Sequence, residues 1–146
     1  MRDVKPLPGT VAFRLGTLGA IVGDRLARKI AGYGVKPKHA GLMAALEAGV
    51  AASQQDLAAR MGVAPSLVVA LADHLVDLGA IERRRDPADR RRQVLTLTDQ
   101  GRELLAKCAA AAQEVDEELV APLTPRQRAA LHDALDVLSE NEGLPA

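Results

Sequence analysis

Aromatic side chains are almost absent from this sequence: Phe13 and Tyr33 are present, and there is no tryptophan. Single-stranded nucleic acid is held by stacking bases on aromatic platforms, so that mode is disfavoured. A β-sandwich is disfavoured as well, because such cores lean on aromatic and β-branched residues. A core of Leu, Val, Ile and Ala points instead to packed helices. One cysteine, Cys108, leaves no disulfide within the chain and fits a reducing compartment. No apolar run approaches the roughly 20 residues of a membrane span. The segment Met1 to Thr10 contains proline and has no uninterrupted apolar stretch of the signal-peptide kind. A soluble, cytoplasmic protein without membrane contact is expected.

Net charge is also missing: 19 Lys and Arg balance 19 Asp and Glu over 146 residues. The distribution is uneven. Residues 1–35 carry +4, residues 36–98 carry +2 and residues 99–146 carry −6. A basic working face with an acidic far end can bind phosphates while the whole stays neutral. Enzyme chemistry has no visible carrier. There is no Gly-rich phosphate loop and no Ser/His/Asp set in a recognisable context. His39, His74 and His132 fall in three separate helical segments without metal-ligand spacing, and read as surface or capping histidines. No cofactor or metal is expected.

Apolar periodicity marks the elements. Val11, Leu15, Leu18, Val22, Leu26, Ile30 and Tyr33 recur at helical steps, and Gly32 and Gly34 break the pattern. Pro37 opens a second helix, which Gly49 ends. Ser53 with Asp56 three residues later predicts a capping box, and Gly62 suits the residue after the helix. Pro65 fits the first turn of a fourth helix striped by Leu67, Val68, Leu71, Leu75 and Leu78. The stretch from Ala80 to Thr98, centred on Asp86-Pro87-Ala88-Asp89, reads as a two-stranded hairpin with a basic tip. Thr98 caps a long helix to about Val120, with Leu104, Cys108, Ala111 or Ala112, Val115 and Leu119 as its seam. Thr124-Pro125 and Gln127 start the last helix, with Leu131, Leu135 and Leu138 inside.

Two short helices, 53–62 and 65–78, joined by a tight Gly-containing turn make a helix-turn-helix. With a basic hairpin directly after them they make a winged helix, whose second helix suits the major groove. Residues 82–92 hold six arginines (83, 84, 85, 90, 91 and 92) and no lysine. A run of that kind is often only a solvated face. Arginine nevertheless suits bidentate phosphate contacts and insertion into a narrow minor groove, and a turn puts the charge on a projecting tip.

The sequence resembles the MarR family of winged helix-turn-helix transcription regulators. The resemblance rests on Ser53-Gln54-Gln55-Asp56-Leu57-Ala58, on Pro65-Ser66, and on Leu78-Gly79-Ala80-Ile81. It rests most of all on Arg83-Arg84-Arg85-Asp86-Pro87-Ala88-Asp89-Arg90-Arg91, followed by Val94-Leu95-Thr96-Leu97-Thr98 and Gly101. Element order matches over residues 11–139, with strong residue matching in about 53–104. The implied fold class is mainly α with a small β-hairpin wing. A single domain, 1–146, would hold a winged lobe at 36–98 and dimerisation helices at 9–35 and 99–141.

The resemblance further implies a homodimer on a palindromic double-stranded DNA operator, most simply a repressor relieved by a small ligand. Arg91 is the expected minor-groove residue, and Asp89 its wing-stabilising partner. Ser66, Leu67, Ala70, His74, Arg85, Arg90 and Arg92 complete the expected DNA-binding set. In the family a ligand pocket lies between the dimer helices and the winged lobe, where Arg14, Lys38 and His39 would meet an anionic aromatic ligand. Cys108 would be a small hydrophobe in the dimer seam.

Departures from the family pattern are specific. Val69 and Ala70 stand near the positions where family helices usually carry Thr and Arg, and Ala64 replaces the usual Ser or Thr cap. Ser66, Asp73 and His74 are the main polar groups left on this helix. Val69 and Ala70 can touch a thymine methyl but discriminate weakly. Specificity then leans on the wing and on DNA shape. The competing reading is a winged-helix protein-interaction module with weak or no specific DNA binding.

Overall fold

A computed structural model describes residues 3–49 and 52–144. A short 3-10 turn, Leu7–Gly9, leads into α1 (Val11–Ile30), whose first turn is capped by the Thr10 hydroxyl accepting from Phe13 N–H. A second 3-10 turn, Ala31–Tyr33, ends at Gly34, whose φ of 76° lies in the left-handed region open to glycine. Then follow α2 (Pro37–Ala48), α3 (Gln54–Met61) and α4 (Pro65–Asp77). Strands β1 (Ile81–Arg85) and β2 (Gln93–Leu97) form an antiparallel pair in the register Ile81 with Leu97 through Arg85 with Gln93. Helices α5 (Asp99–Val120) and α6 (Pro125–Asn141) complete the chain. No helix among the described residues is by itself long and apolar enough to cross a membrane.

The capping chemistry expected at α3 and α6 is present. Ser53 Oγ accepts from Asp56 N–H at 3.1 Å while Asp56 Oδ2 accepts from Ser53 N–H at 3.3 Å. Thr124 and Gln127 make the same reciprocal pair. Gly62 takes φ 65° at the end of α3, as a helix stop requires. The chain then turns through 114° into α4, the geometry of a helix-turn-helix.

One core joins α2, α3, α4 and the hairpin. Leu42, Met43, Leu57, Val68, Leu75, Ile81 and Leu95 are fully or almost fully buried in it. Ala52 extends the hairpin by a single bridge, its carbonyl accepting from Leu95 N–H at 2.9 Å. The start of α5 is fastened to the end of α4. Thr98 caps α5 at Gly101 N–H, donates its hydroxyl to Gly79 O at 2.6 Å and its N–H to Ala80 O at 3.0 Å.

Three expectations about the long helices change. Leu105, not Leu104, is the buried leucine of α5, with Leu104 only half-buried against the core. Cys108 lies inside this chain's own core rather than in a seam between chains, and burial pushes its thiol up from the ordinary value. In α6, Leu135 and Leu138 are exposed rather than inside. The first half of α1 is likewise uncovered, with Val11, Phe13, Leu15, Leu18 and Ile21 all open. The apolar periodicity of these helices is real, but this chain alone does not supply the surface that would cover it.

Candidate nucleic-acid interface

Helix α4 has two faces at helical spacing. Val68, Leu71, Ala72 and Leu75 point into the core, and Ser66, Val69, Ala70 and Asp73 form an exposed stripe at i, i+3, i+4 and i+7. Leu67, expected among the DNA contacts, is half-buried against the core, because it falls beside the inward stripe. His74 is also redirected. Its Nε2–H donates to Gly34 O at 2.6 Å, and its ring lies 4.6 Å from the ring of His39. A nitrogen committed to the elbow between α1 and α2 is not a free donor for a base edge.

The wing is ordered by its turn residues. Asp86 N–H donates to Arg92 O at 2.8 Å, and Asp86 Oδ1 accepts from Ala88 N–H at 2.9 Å. Asp89 Oδ1 accepts from Arg91 N–H at 3.0 Å and stands 3.9 Å from Arg91 Nε. These local bonds to short acidic side chains are what an Asp-Pro-Ala-Asp turn offers. Beyond them the Arg91 side chain is 96% exposed. Arg90 is also exposed, and its carbonyl accepts from Arg85 Nη1 at 3.1 Å.

The six arginines therefore divide by task. Arg83 pairs with Asp73 of α4 and donates to Gln54 Oε1 of α3 at 3.2 Å. Arg92 pairs with Asp56 and donates to Ser53 Oγ at 3.0 Å. Arg84 pairs with its neighbour Glu82. Arg83 and Arg92 are struts that fix the wing against both helices of the helix-turn-helix, and Arg90 and Arg91 are carried forward by them. Hydrogen bonds from Ser53 hold the Asp56 carboxyl below its ordinary value, and the charges of Arg92 and Arg60 act in the same direction.

Among the described residues, no hydrogen bond joins Arg14, Lys38 and His39, the residues expected at a ligand pocket. Arg14 and Lys38 are exposed on α1 and α2, and Arg14 Nε donates to Pro8 O at 3.4 Å. His39 is buried and capping: its Nδ1 accepts from Lys36 N–H at 2.9 Å, closing the first turn of α2. Burial, followed by the charges of His74 and Lys36, holds its imidazole below the ordinary value. The His39 Nδ1 is therefore engaged within α2.

A family model described as the MarR family matches residues 33–92. Those residues are of MarR-family type. The chain is 33% identical over 98 residues to a transcriptional regulatory protein for the hcr operon of Thauera aromatica, a match covering 67% of this chain. It is 30% identical over 89 residues to the HTH-type transcriptional regulator YdgJ of Bacillus subtilis (strain 168), a match covering 61% of this chain. The matches span 59% and 54% of the lengths of those two proteins. In fold it is similar to the repressor CouR of Rhodococcus jostii RHA1. Against CouR solved on a 23-mer DNA duplex, the TM-score is 0.79 at 26% identity, covering 93% of this chain and 99% of that one. CouR has also been solved with p-coumaroyl-CoA, where the TM-score is 0.78 at 23% identity, covering 93% and 96%.

Two features of this lobe carry no signal in the sequence. The Asp73–Arg83 pair crosses from α4 to β1, and a run of six arginines conceals which of them is spoken for. The His39–His74 contact joins residues 35 apart, and their spacing carries no signal of it.

Proposed function

We propose that this chain is a double-stranded-DNA-binding transcription regulator that works as a homodimer on a palindromic operator, and that it acts by binding and not by catalysis. The observation that carries the reading is the alignment of two elements on one rigid lobe. An exposed face of α4 stands next to a wing that is locked to α3 and α4 by Arg92 and Arg83 and tipped by Arg90 and Arg91. A helix for the major groove and an arginine tip for the adjacent minor groove form one reading head. Ser66, Ala70, Arg85, Arg90 and Arg91 are its contact residues, and Asp89 stabilises the wing.

The occupant of the uncovered faces of α1 and α6 is a second copy of this chain. Segments 9–35 and 99–141 would form the dimer, and 36–98 the reading lobe. Both faces lie outside the lobe's core, so pairing them leaves α4 and the wing open. Two lobes must present their helices about 34 Å apart to meet successive major grooves. An effector that prefers another spacing would release the DNA, which makes repression relieved by a small anionic aromatic ligand the simplest scheme. Arg14 and Lys38 are its proposed cations. The proposed compartment is the cytoplasm, where the DNA of a bacterial-type regulator lies.

Selection of bound duplexes from a random pool tests the function. A recovered palindrome, with binding that weakens steeply as salt rises, is the expected result. Failure to retain any duplex at low salt would point to a protein-interaction module instead. Light scattering at micromolar concentration checks the dimer, and a monomer there rejects it. Titration of p-coumaroyl-CoA into the bound complex is the first effector probe.

A further inference from the structure

Within the described part of residues 36–98, Val69 is the only large hydrophobic side chain left exposed, at 39%. Every other one is buried or half-buried in the lobe's core. Val69 stands in the middle of the outward stripe of α4, beside Ala70, on the face a major groove would meet. The polar groups around it are mostly occupied. The carboxylate of Asp73 is paired with Arg83, and Nε2 of His74 is bonded to Gly34 O.

Base-edge chemistry then narrows by elimination. Guanine O6 and N7 call for Arg or Lys, and α4 contains neither. Adenine N6 and N7 call for Asn or Gln, and α4 contains neither of those. Cytosine N4–H2 calls for a free carboxylate; Asp73 already serves Arg83, and Asp77 is the last residue of α4, at the far end from Ser66 and Val69. Ser66 is tolerant of either purine or pyrimidine partners. The remaining base feature in the major groove is the C5-methyl of thymine, which is read by apolar contact.

Resting on the duplex-binding function proposed above, we infer that α4 reads thymine through its C5-methyl group, with Val69 and Ala70 as the contact surface. The paired Asp73 is then a positioning residue. Its charge is cancelled by Arg83, so it neither repels the phosphates flanking the groove nor competes for a base. This predicts an operator whose half-sites carry thymine at the positions facing the first turns of α4.

The test uses the full chain and a duplex recovered from the random pool, remade with deoxyuridine at every thymidine. This removes only the methyl groups and leaves phosphates and hydrogen-bonding edges in place. The parent protein should bind the deoxyuridine duplex about fourfold more weakly per contacted methyl, the factor for burying one carbon group. Val69→Ala should narrow the gap between the two duplexes, losing more affinity for the thymidine duplex than for the deoxyuridine duplex. Val69→Asn should narrow the gap further, to the part that Ala70 supplies. Equal binding of both duplexes by the parent, or a gap as wide in Val69→Ala as in the parent, overturns the inference while leaving DNA binding intact. If no duplex is recovered from the pool, the duplex-binding function and this inference fall together. A matched melting temperature for each variant confirms that the fold is not what changed, as expected for an exposed position.

Discussion

Arg92 and Asp56 lie 36 residues apart in sequence and are joined by an ion pair, so the last arginine of the wing is held by the carboxylate that also caps α3. The same guanidinium reaches Ser53 Oγ at 3.0 Å. The wing is thus fastened to the first helix of the helix-turn-helix through its own N-terminal cap. Both side chains remain more than a third exposed, so solvent screens the pair and its stability value is small. Its value is positional.

Arg92→Ala should therefore lower the melting temperature by a few degrees at most, yet weaken duplex binding measurably, because the wing loses its brace. Arg92→Lys should recover only part of the affinity, since one ammonium cannot serve Ser53 and Asp56 as a planar fork does. Thermal melts and duplex titrations of the two variants check this. Affinity unchanged in Arg92→Ala would mean that the wing is held by its turn alone.

Arg91 and Asp89 should separate in the opposite way. Arg91 is almost entirely free of this chain, so Arg91→Ala should leave the melting temperature unchanged and cost about 1–3 kcal/mol of duplex affinity. Asp89→Ala removes the acceptor for Arg91 N–H and the nearby carboxylate. It should reduce affinity less and make the tip more mobile. Protease nicking between residues 86 and 92 is the readout for that mobility. An Arg91→Ala protein that binds like the parent would place the whole reading task on α4.

The pH dependence of stability should run through His39. Burial first, and then the charges of His74 and Lys36, hold its folded-state pKa below the ordinary 6.5. Tyr33, Lys36 and Lys38 are the titratable groups beside this elbow in sequence, and Asp73 adjoins His74 on α4. Below the unfolded value the unfolded chain binds the proton more readily than the native chain does. The native state is therefore fully favoured above about pH 6.5 and loses stability as pH falls through that value toward the lower folded pKa. His39→Asn keeps a group able to accept from Lys36 N–H and removes the titration. Its melting temperature should be flatter than the parent's across the mildly acidic range. Identical slopes for the two proteins would assign the dependence to another group.

Much of this was legible in the sequence, for physical reasons that differ by element. Ser53-Asp56, Gly62, Pro65 and Thr124-Gln127 act on their own helix ends, so local chemistry suffices to find them. The Asp-Pro-Ala-Asp turn and the arginines around it announced the wing in the same local way. What was not legible depends on contacts across the fold. Periodicity shows that Leu135 and Leu138 share a face but not whether this chain covers it, and it does not. Likewise Leu67 and His74 sit on α4 with the polar stripe nearby, yet a small change of angle on the helix puts one against the core and the other on Gly34. Arg83 and Arg92 look like Arg90 and Arg91 until their partners on α3 and α4 are seen.

Gly101 shows how one small residue sets the junction between the reading lobe and α5. It is buried in the first turn of α5, where a Cβ would collide with Ala80 O and stand 2.7 Å from Leu97 Cδ1. Ala80 O is itself the acceptor for Thr98 N–H, so the obstacle is backbone already held in place and not a flexible side chain. Alanine favours a helix over glycine by about 1 kcal/mol, but overpacking a tight contact costs about 1–3 kcal/mol. With a clash this close the second effect wins. Gly101→Ala should lower the melting temperature and displace α5 from the end of α4. Gly41→Ala is the matched control, because Gly41 lies inside α2 with nothing within 4 Å of its would-be Cβ. There the helix preference acts unopposed, and the melting temperature should rise. Denaturation of both variants measures the contrast. If Gly101→Ala is as stable as Gly41→Ala, the approach of α5 to Ala80 is looser than the structure has it, and the coupling of the wing junction to the dimer helices weakens with it.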